Sequence, residues 1–378
     1  MRYSPIYNKN DKHPFIAVIF LFALLFLITL QLHFSSDSIR KVIGDIKTEE
    51  LFIYLFKSEN HAFFADEQQN LFSFQKLTDI FFQVATNIKP TDARTFLGNE
   101  IPGFVFYDTI VVGTDENIPL SSIPFESLPS PEVLENEKEV AEEKLPGTNE
   151  VPQPAPPPTA KTETVFIYHS HNLEAFLPLL KDADSPNKAI SSDERVNVVG
   201  LGKRLTANLQ TKGIGTVHNT TNINAELLKR GLTYSDSYDV SKEIVQEAYA
   251  NNNQLKYFID IHRDNLRKDK TTVTINGEDY AKLYFIVGKE HRNYERNLAF
   301  TEKLNEELKK RYPGISRGVY IKSYHDGNGV YNQDISDRAI LLELGGVDNE
   351  LEELWKSIDA FSEVFTDIYS EETNRSEQ

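Results

Sequence analysis

The chain of 378 residues contains no cysteine. Thiolate nucleophiles, disulfides and cysteine-ligated zinc are therefore excluded, and any metal site has to be built from histidine, aspartate or glutamate. Basic charge is also short, since 40 Lys and Arg against 57 Asp and Glu leave a net charge of −17. A field of that sign disfavours nucleic acid and anionic lipid headgroups as non-specific partners, so no nucleic-acid partner is expected. Charge is missing altogether from residues 15–34, "FIAVIFLFALLFLITLQLHF", which as a helix rising ~1.5 Å per residue would cover the ~30 Å hydrocarbon core of a bilayer. Arg2, Lys9 and Lys12 precede the run, which predicts a single-pass membrane anchor with residues 1–14 cytoplasmic and everything after Ser35 outside. A cleaved signal peptide shares the basic start, but the apolar run is longer than the usual ~7–15 residues of a signal core.

Residues 35–118 read as a small extracytoplasmic mixed region in which "IRKVIGDIKTEELFIYLF" and "LFSFQKLTDIFFQVATNI" carry helix-like apolar spacing and no reactive cluster. Residues 119–162 are rich in proline and glutamate and almost without periodicity. Such a stretch buries too little apolar area to offset its ordering entropy, so it is expected to be a disordered tether reaching on the order of 100 Å. From residue 163 to 370 strand-like and helix-like runs alternate, the signature of βαβ units. The expected fold is α/β, a twisted and mostly parallel sheet flanked by helices. A helix starting at Ser192 or Asp193 would carry Val198, Leu201, Leu205 and Leu209 on one face, and "TTVTING" with "AKLYFIVG" suggests a hairpin or strand pair. A closing helix would turn Leu351, Leu354, Ile358, Phe361 and Phe365 inward, and residues 371–378 would form a disordered tail.

Of the nine histidines, two stand one residue apart directly after the strand-like "TVFIY", as His169 and His171. His262 follows "FIDI", Glu343 sits within "AILLELGG", and Glu194 would open the first helix beside the same sheet edge. Residues past the carboxyl ends of strands in α/β sheets look into the crevice where ligands bind. Two imidazoles and one carboxylate give Zn²⁺ three protein ligands and leave a fourth position for water, whose proton Glu343 could take. A metal hydrolase is thus the leading reading. A docking protein that kept the fold and lost turnover is the alternative from another class, and a metal-independent serine hydrolase is weaker still.

"IYHSHNLEAF", "ERVNVVGLGKRL", "SYDVSKEIVQEA", "YFIDIHRD" and "AILLELGGVDNE" together resemble the stage II sporulation protein P family, which is related to the zinc-dependent N-acetylmuramoyl-L-alanine amidases. The resemblance covers residues 163–370 and implies an amidase-like fold. The implied activity is that of a membrane-anchored peptidoglycan hydrolase at the sporulation septum, cutting between N-acetylmuramic acid and the stem peptide and also acting as an endopeptidase. It further implies stage II sporulation proteins D and M as partners. Residue by residue, it makes His171, Glu194 and His262 the zinc ligands and Glu343 the catalytic base. The broad amidase family has glycines around its first histidine where this chain has "HSHN", so His169 stays open as an orienting or substrate-touching residue and Glu174 as an alternative carboxylate ligand. Arg263 and Asp264 are candidates for steadying the loop or meeting the stem peptide, and Arg338 for pairing with Asp337 or a substrate carboxylate.

Overall fold

The computed structural model describes residues 110–112, 129–145 and 162–376, except 293, 325 and 326. The anchor expected over residues 15–34 and nearly all of the region expected over 35–118 lie outside these residues. Among the described residues no helix is long and apolar enough to cross a membrane.

The described elements are strand β1 (Ile110–Val112), helix α1 (Pro131–Glu135), β2 (Glu163–Tyr168), α2 (Val198–Thr211), β3 (Gly215–His218), α3 (Ile223–Arg230), α4 (Ser237–Asn251), β4 (Tyr257–Asp264), α5 (Lys268–Thr271), β5 (Thr272–Ile275), β6 (Glu278–Ala281), β7 (Leu283–Gly288), α6 (Tyr294–Arg311), β8 (Ser316–Lys322), β9 (Arg338–Gly346) and α7 (Leu351–Ser376). Seven strands form one sheet in the order β1-β8-β7-β9-β4-β2-β3. The β2–β3, β2–β4, β4–β9 and β7–β8 pairs are parallel, whereas β7–β9 and β1–β8 are antiparallel. The sheet is therefore mostly parallel and flanked by helices. The expected hairpin exists, but as β5–β6 alone: Asn276 and Gly277 both adopt positive φ, the turn chemistry a two-residue hairpin favours, while "LYFIVG" enters the main sheet as β7.

Strands covered on both faces need near-continuous apolar runs, which is why "TVFIY", "YFIDI", "LYFIV" and "AILLEL" lack simple alternation. One face packs Ile167, Ile259, Phe285 and Leu342 against Leu201, Leu205 and Leu209 of α2, Leu304 and Leu308 of α6, and Leu354, Ile358, Phe361 and Phe365 of α7. Each such side chain, fully buried, contributes roughly 1.5–3 kcal/mol. The opposite face sets Phe166, Phe258 and Ala339 against Val245 of α4, and Tyr284, Ile286, Tyr320 and Leu341 against Tyr238 of the same helix.

Two expectations at the ends of the domain are corrected. Part of the stretch read as a tether is docked: Val140 joins the main core and bridges Leu180, Ala141 N–H donates to Leu179, and Lys138 N–H donates to Ile190. Glu137 accepts from Ser192 N–H at 2.6 Å, and Glu142 receives two hydrogen bonds from the Arg195 guanidinium. This segment buries little of its own, and it orders by borrowing a core it did not have to build. The tail read as disordered from 371 continues α7 to Ser376, where Glu372 accepts from Arg338 Nε and Tyr257 Oη, each at 2.9 Å, and Glu371 pairs with Lys303.

Candidate metal centre

Every residue of the "HSHN" stretch past β2 has a separate task. The His169 ring turns away from the crevice, with Nδ1 3.1 Å from the Ile261 carbonyl and Nε2 2.9 Å from Nε2 of His218. Burial pushes His169 down to about 4 and His218 to about 3, so both are neutral at pH 7. Ser170 donates to Asp260 through its backbone N–H at 2.9 Å and its hydroxyl at 2.6 Å. His171 faces the crevice. Asn172 Oδ1 accepts from the N–H groups of Ile223 and Asn224 and thereby holds the first turn of α3.

His171, Glu174 and His262 come together, and one ligand-capable atom of each lies within 4.8 Å of the others. Glu174 Oε1 is 3.6 Å from His171 Nδ1, and its Oε2 is 3.6 Å from His262 Nδ1. All three are buried, with 3%, 1% and 0% of their surfaces exposed. The Nδ1 atoms of both histidines have no hydrogen-bond partner. Buried polar atoms are rarely left unmatched, and two neutral-capable imidazole nitrogens converging with a carboxylate oxygen is the donor chemistry that Zn²⁺ takes, so these residues fit a divalent metal. Burial alone would raise Glu174, but its contacts with His171 and His262 hold it well below the carboxylate range. Burial likewise opposes a charged His262, and Asp260 and Glu174 outweigh it and raise that ring well above the ordinary histidine value.

Glu343 stands beside this group because β9 lies next to β4 with Glu343 in register with His262. Its Oε2 is buried without a hydrogen bond. Burial first, then the neighbouring Glu174 and Asp264, push the carboxyl up to about 8 against the pull of His262 and Lys322. Aromatic rings close the crevice from α4 and the turn before it. Tyr234 stacks on His171 with centroids 4.6 Å apart, and Tyr238 lies edge-on to His171 and parallel to His262.

Several expected site residues lie elsewhere. Glu194 is exposed and does not share the group; Glu174 is the carboxylate that does. The reason is local, because α2 begins at Val198 with Asn197 as its N-cap, accepting from Val199 N–H at 2.9 Å, so Glu194 sits on the preceding turn. The helix starts later than Ser192 or Asp193 because Asp193 turns its carboxylate onto Arg195 N–H and the Arg195 guanidinium instead. Arg263 and Asp264 are buried and internally engaged: Arg263 donates to Asn265 and the Ala189 carbonyl, and Asp264 pairs with Arg317. Neither is open to a substrate. Arg338 is tied to Glu372, at the opposite end of β9 from Glu343. A serine-hydrolase reading finds no footing, since the G-x-S-x-G string at residues 314–318 leads into strand β8 rather than a helix and Ser316 donates to Asn305. Asp260 was missed, although its place two residues before His262 on one strand puts both on the same face.

The sequence model described as stage II sporulation protein P matches residues 91–366. Stage II sporulation protein P of Bacillus subtilis (strain 168) is 40% identical over 344 residues, which cover 90% of this chain and 85% of that protein. Among solved structures, Cwp6 from Clostridium difficile overlaps 55% of this chain and 30% of its own at 14% identity and a TM-score of 0.33, too distant to carry an argument.

Proposed function

Because the chain belongs to the stage II sporulation protein P family, and is thus a sporulation protein, we propose that it is a zinc-dependent peptidoglycan hydrolase, an N-acetylmuramoyl-L-alanine amidase with endopeptidase capacity, acting on septal wall during engulfment. The observation that carries this reading is the buried trio His171, Glu174 and His262, with the Nδ1 of each histidine unpartnered, next to Glu343. Zn²⁺ bound by the trio would supply Lewis acidity and a water acidic enough to lose its proton near neutral pH. Glu343 accepts a proton at its carboxylate and returns it to the departing amine nitrogen. Burial raises this carboxyl above the ordinary carboxylate range, which favours its holding the proton it has taken until the amine departs. The rings of Tyr234 and Tyr238 limit water around the histidines. Anchorage through residues 15–34 would hold the domain on the outer side of the membrane, with stage II sporulation proteins D and M as partners.

The test is release of stem peptides from purified peptidoglycan by the full chain, before and after chelation, and by Glu343→Gln. Chelation should abolish release and Zn²⁺ should restore it. Glu343→Gln should keep the metal and lose roughly 10²–10⁴-fold in rate. Undiminished activity after chelation removes the metal from the reaction, and undiminished activity in the variant removes Glu343 as base. Wall binding without hydrolysis under all conditions would favour the docking-protein alternative.

A further inference from the structure

Resting on that reading of the trio as a metal centre, we propose that Asp260, gripped by Ser170, is the positioning residue that makes His262 present Nδ1, rather than Nε2, to the metal. Asp260 is fully buried and lies on the same face of β4 as His262. Its Oδ1 is 3.1 Å from His262 Nε2, a short contact that falls outside hydrogen-bond alignment in this arrangement. Nδ1 on the other side of the ring is the atom turned to Glu174.

A rival arrangement would let Asp260 itself bind the metal through Nε2-side coordination. Each of its oxygens already accepts from Ser170, Oδ1 from the backbone N–H and Oδ2 from Oγ, and Oδ1 faces His262 Nε2 as well. Glu174 differs: its Oε2 takes one backbone N–H, from Arg263 at 2.9 Å, and both its oxygens point at the unpartnered Nδ1 atoms of the two histidines. The donors and the orienting carboxylate are thereby separated by chemistry already present in the fold.

Ser170 is in turn part of a buried chain. Its hydroxyl lies 2.7 Å from that of Ser241 on α4, which accepts from Asn332 Nδ2 at 2.9 Å. Asn332 and its neighbour Tyr331 both hold positive φ, 56° and 54°, a left-handed conformation that costs non-glycine residues energy and persists where the surroundings fix it. The line Asn332–Ser241–Ser170–Asp260–His262 therefore joins a strained loop, α4, the end of β2 and β4. An outer carboxylate that accepts the second ring proton of a ligating histidine fixes its tautomer and raises its basicity, and losing one typically lowers metal affinity 10–100-fold.

The experiment measures Zn²⁺ affinity by competition and the Co²⁺ absorption spectrum on the full chain and on Asp260→Asn, Ser170→Ala and Ser170→Thr, with the metal-free melting temperature of each recorded alongside. Asp260→Asn and Ser170→Ala should lose 10–100-fold in affinity and shift the Co²⁺ bands, and Ser170→Thr, which keeps the hydroxyl, should recover most of the loss. Should Asp260→Asn not fold, Ser170→Ala decides. Parental affinity and an unchanged spectrum in folded variants would overturn the positioning role while leaving the metal centre intact. A parent chain that takes up neither ion would bring down the metal centre and this inference with it.

Discussion

Replacing Gly202 by alanine tests whether the segment carrying His171 is held as tightly as its contacts suggest. Gly202 lies within α2, and a Cβ there would sit 2.6 Å from Nε2 of His169 and 2.6 Å from Nε2 of His218. Ordinary contact begins near 3.4 Å, so the rings would have to retreat by about 0.8 Å. Neither has slack, because His169 is bound to the Ile261 carbonyl and His218 belongs to β3, paired in register with Ile167. Overfilling a packed site costs about 1–3 kcal/mol, and exchanging glycine for alanine within a helix returns up to ~1 kcal/mol. With both rings pinned the upper part of that range, about 2–3 kcal/mol, applies, and returning ~1 kcal/mol leaves a net loss of about 1–2 kcal/mol, a fall of roughly 2–8 °C in the melting temperature of a domain this size. Thermal and denaturant melts of Gly202→Ala, His218→Ala and the double variant measure it. In the His218→Ala background the added methyl should cost less than half as much, since His169 can then move into the vacated space. A Gly202→Ala protein as stable as its parent would refute the argument, for it would mean the histidine pair yields freely and does not brace the loop.

Lowering the pH should destabilise the domain through His218. Its pKa falls from 6.5 to about 3 on folding because burial, then His169 and Lys203, disfavour its charge. A depressed folded value means the contribution is complete above pH ~6.5 and drains away as pH drops towards 3; His218→Gln should flatten that part of a melting-temperature profile. Val140→Asp would put an unpaired carboxylate into the main core and should free the docked segment, read as faster protease cleavage within residues 129–145. Arg204→Ala removes a two-pronged ion pair to Asp359 and a guanidinium 5.0 Å from the centre of the Trp355 ring. Asp359 is half open to water, so the loss in a denaturant melt should be only about 1 kcal/mol.

The strand ends were the legible part of this chain. β-Branched and aromatic runs terminate at His169 and His262 and pass through Glu343, and a parallel ladder must bring such positions to one edge, so the neighbourhood of His262 and Glu343 could be named before any coordinate, while the strand pattern left open which of His169 and His171 enters it. The choice between Glu194 and Glu174 as the carboxylate could not be made. Asp193 and Asn197 both suit a helix start, and long-range contacts such as the bridge between Ala175 and Asn197, together with Asp193's hold on Arg195, favour the later choice that turns Glu194 outward. Glu174 lies in an irregular segment where no periodicity states which way a side chain points. The docked stretch around Val140 escaped for another reason: composition reports whether a segment can bury itself, and says little about one that completes a neighbour's core.

His171, Glu174, His262 and Glu343 are each no more than 3% exposed. Atoms that water barely touches are closed to any large ligand, so the proposed action on a polymer would have to begin by lifting a cover. Tyr234, half-buried and flat against His171, rides on the three-residue turn Tyr234–Asp236 between two helices. Every ~1.4 kcal/mol by which the shut arrangement is favoured slows idle turnover tenfold. If the proposed hydrolase activity holds, restraint would then be written into the resting shape, with the rings of Tyr234 and Tyr238 as the cover to be moved.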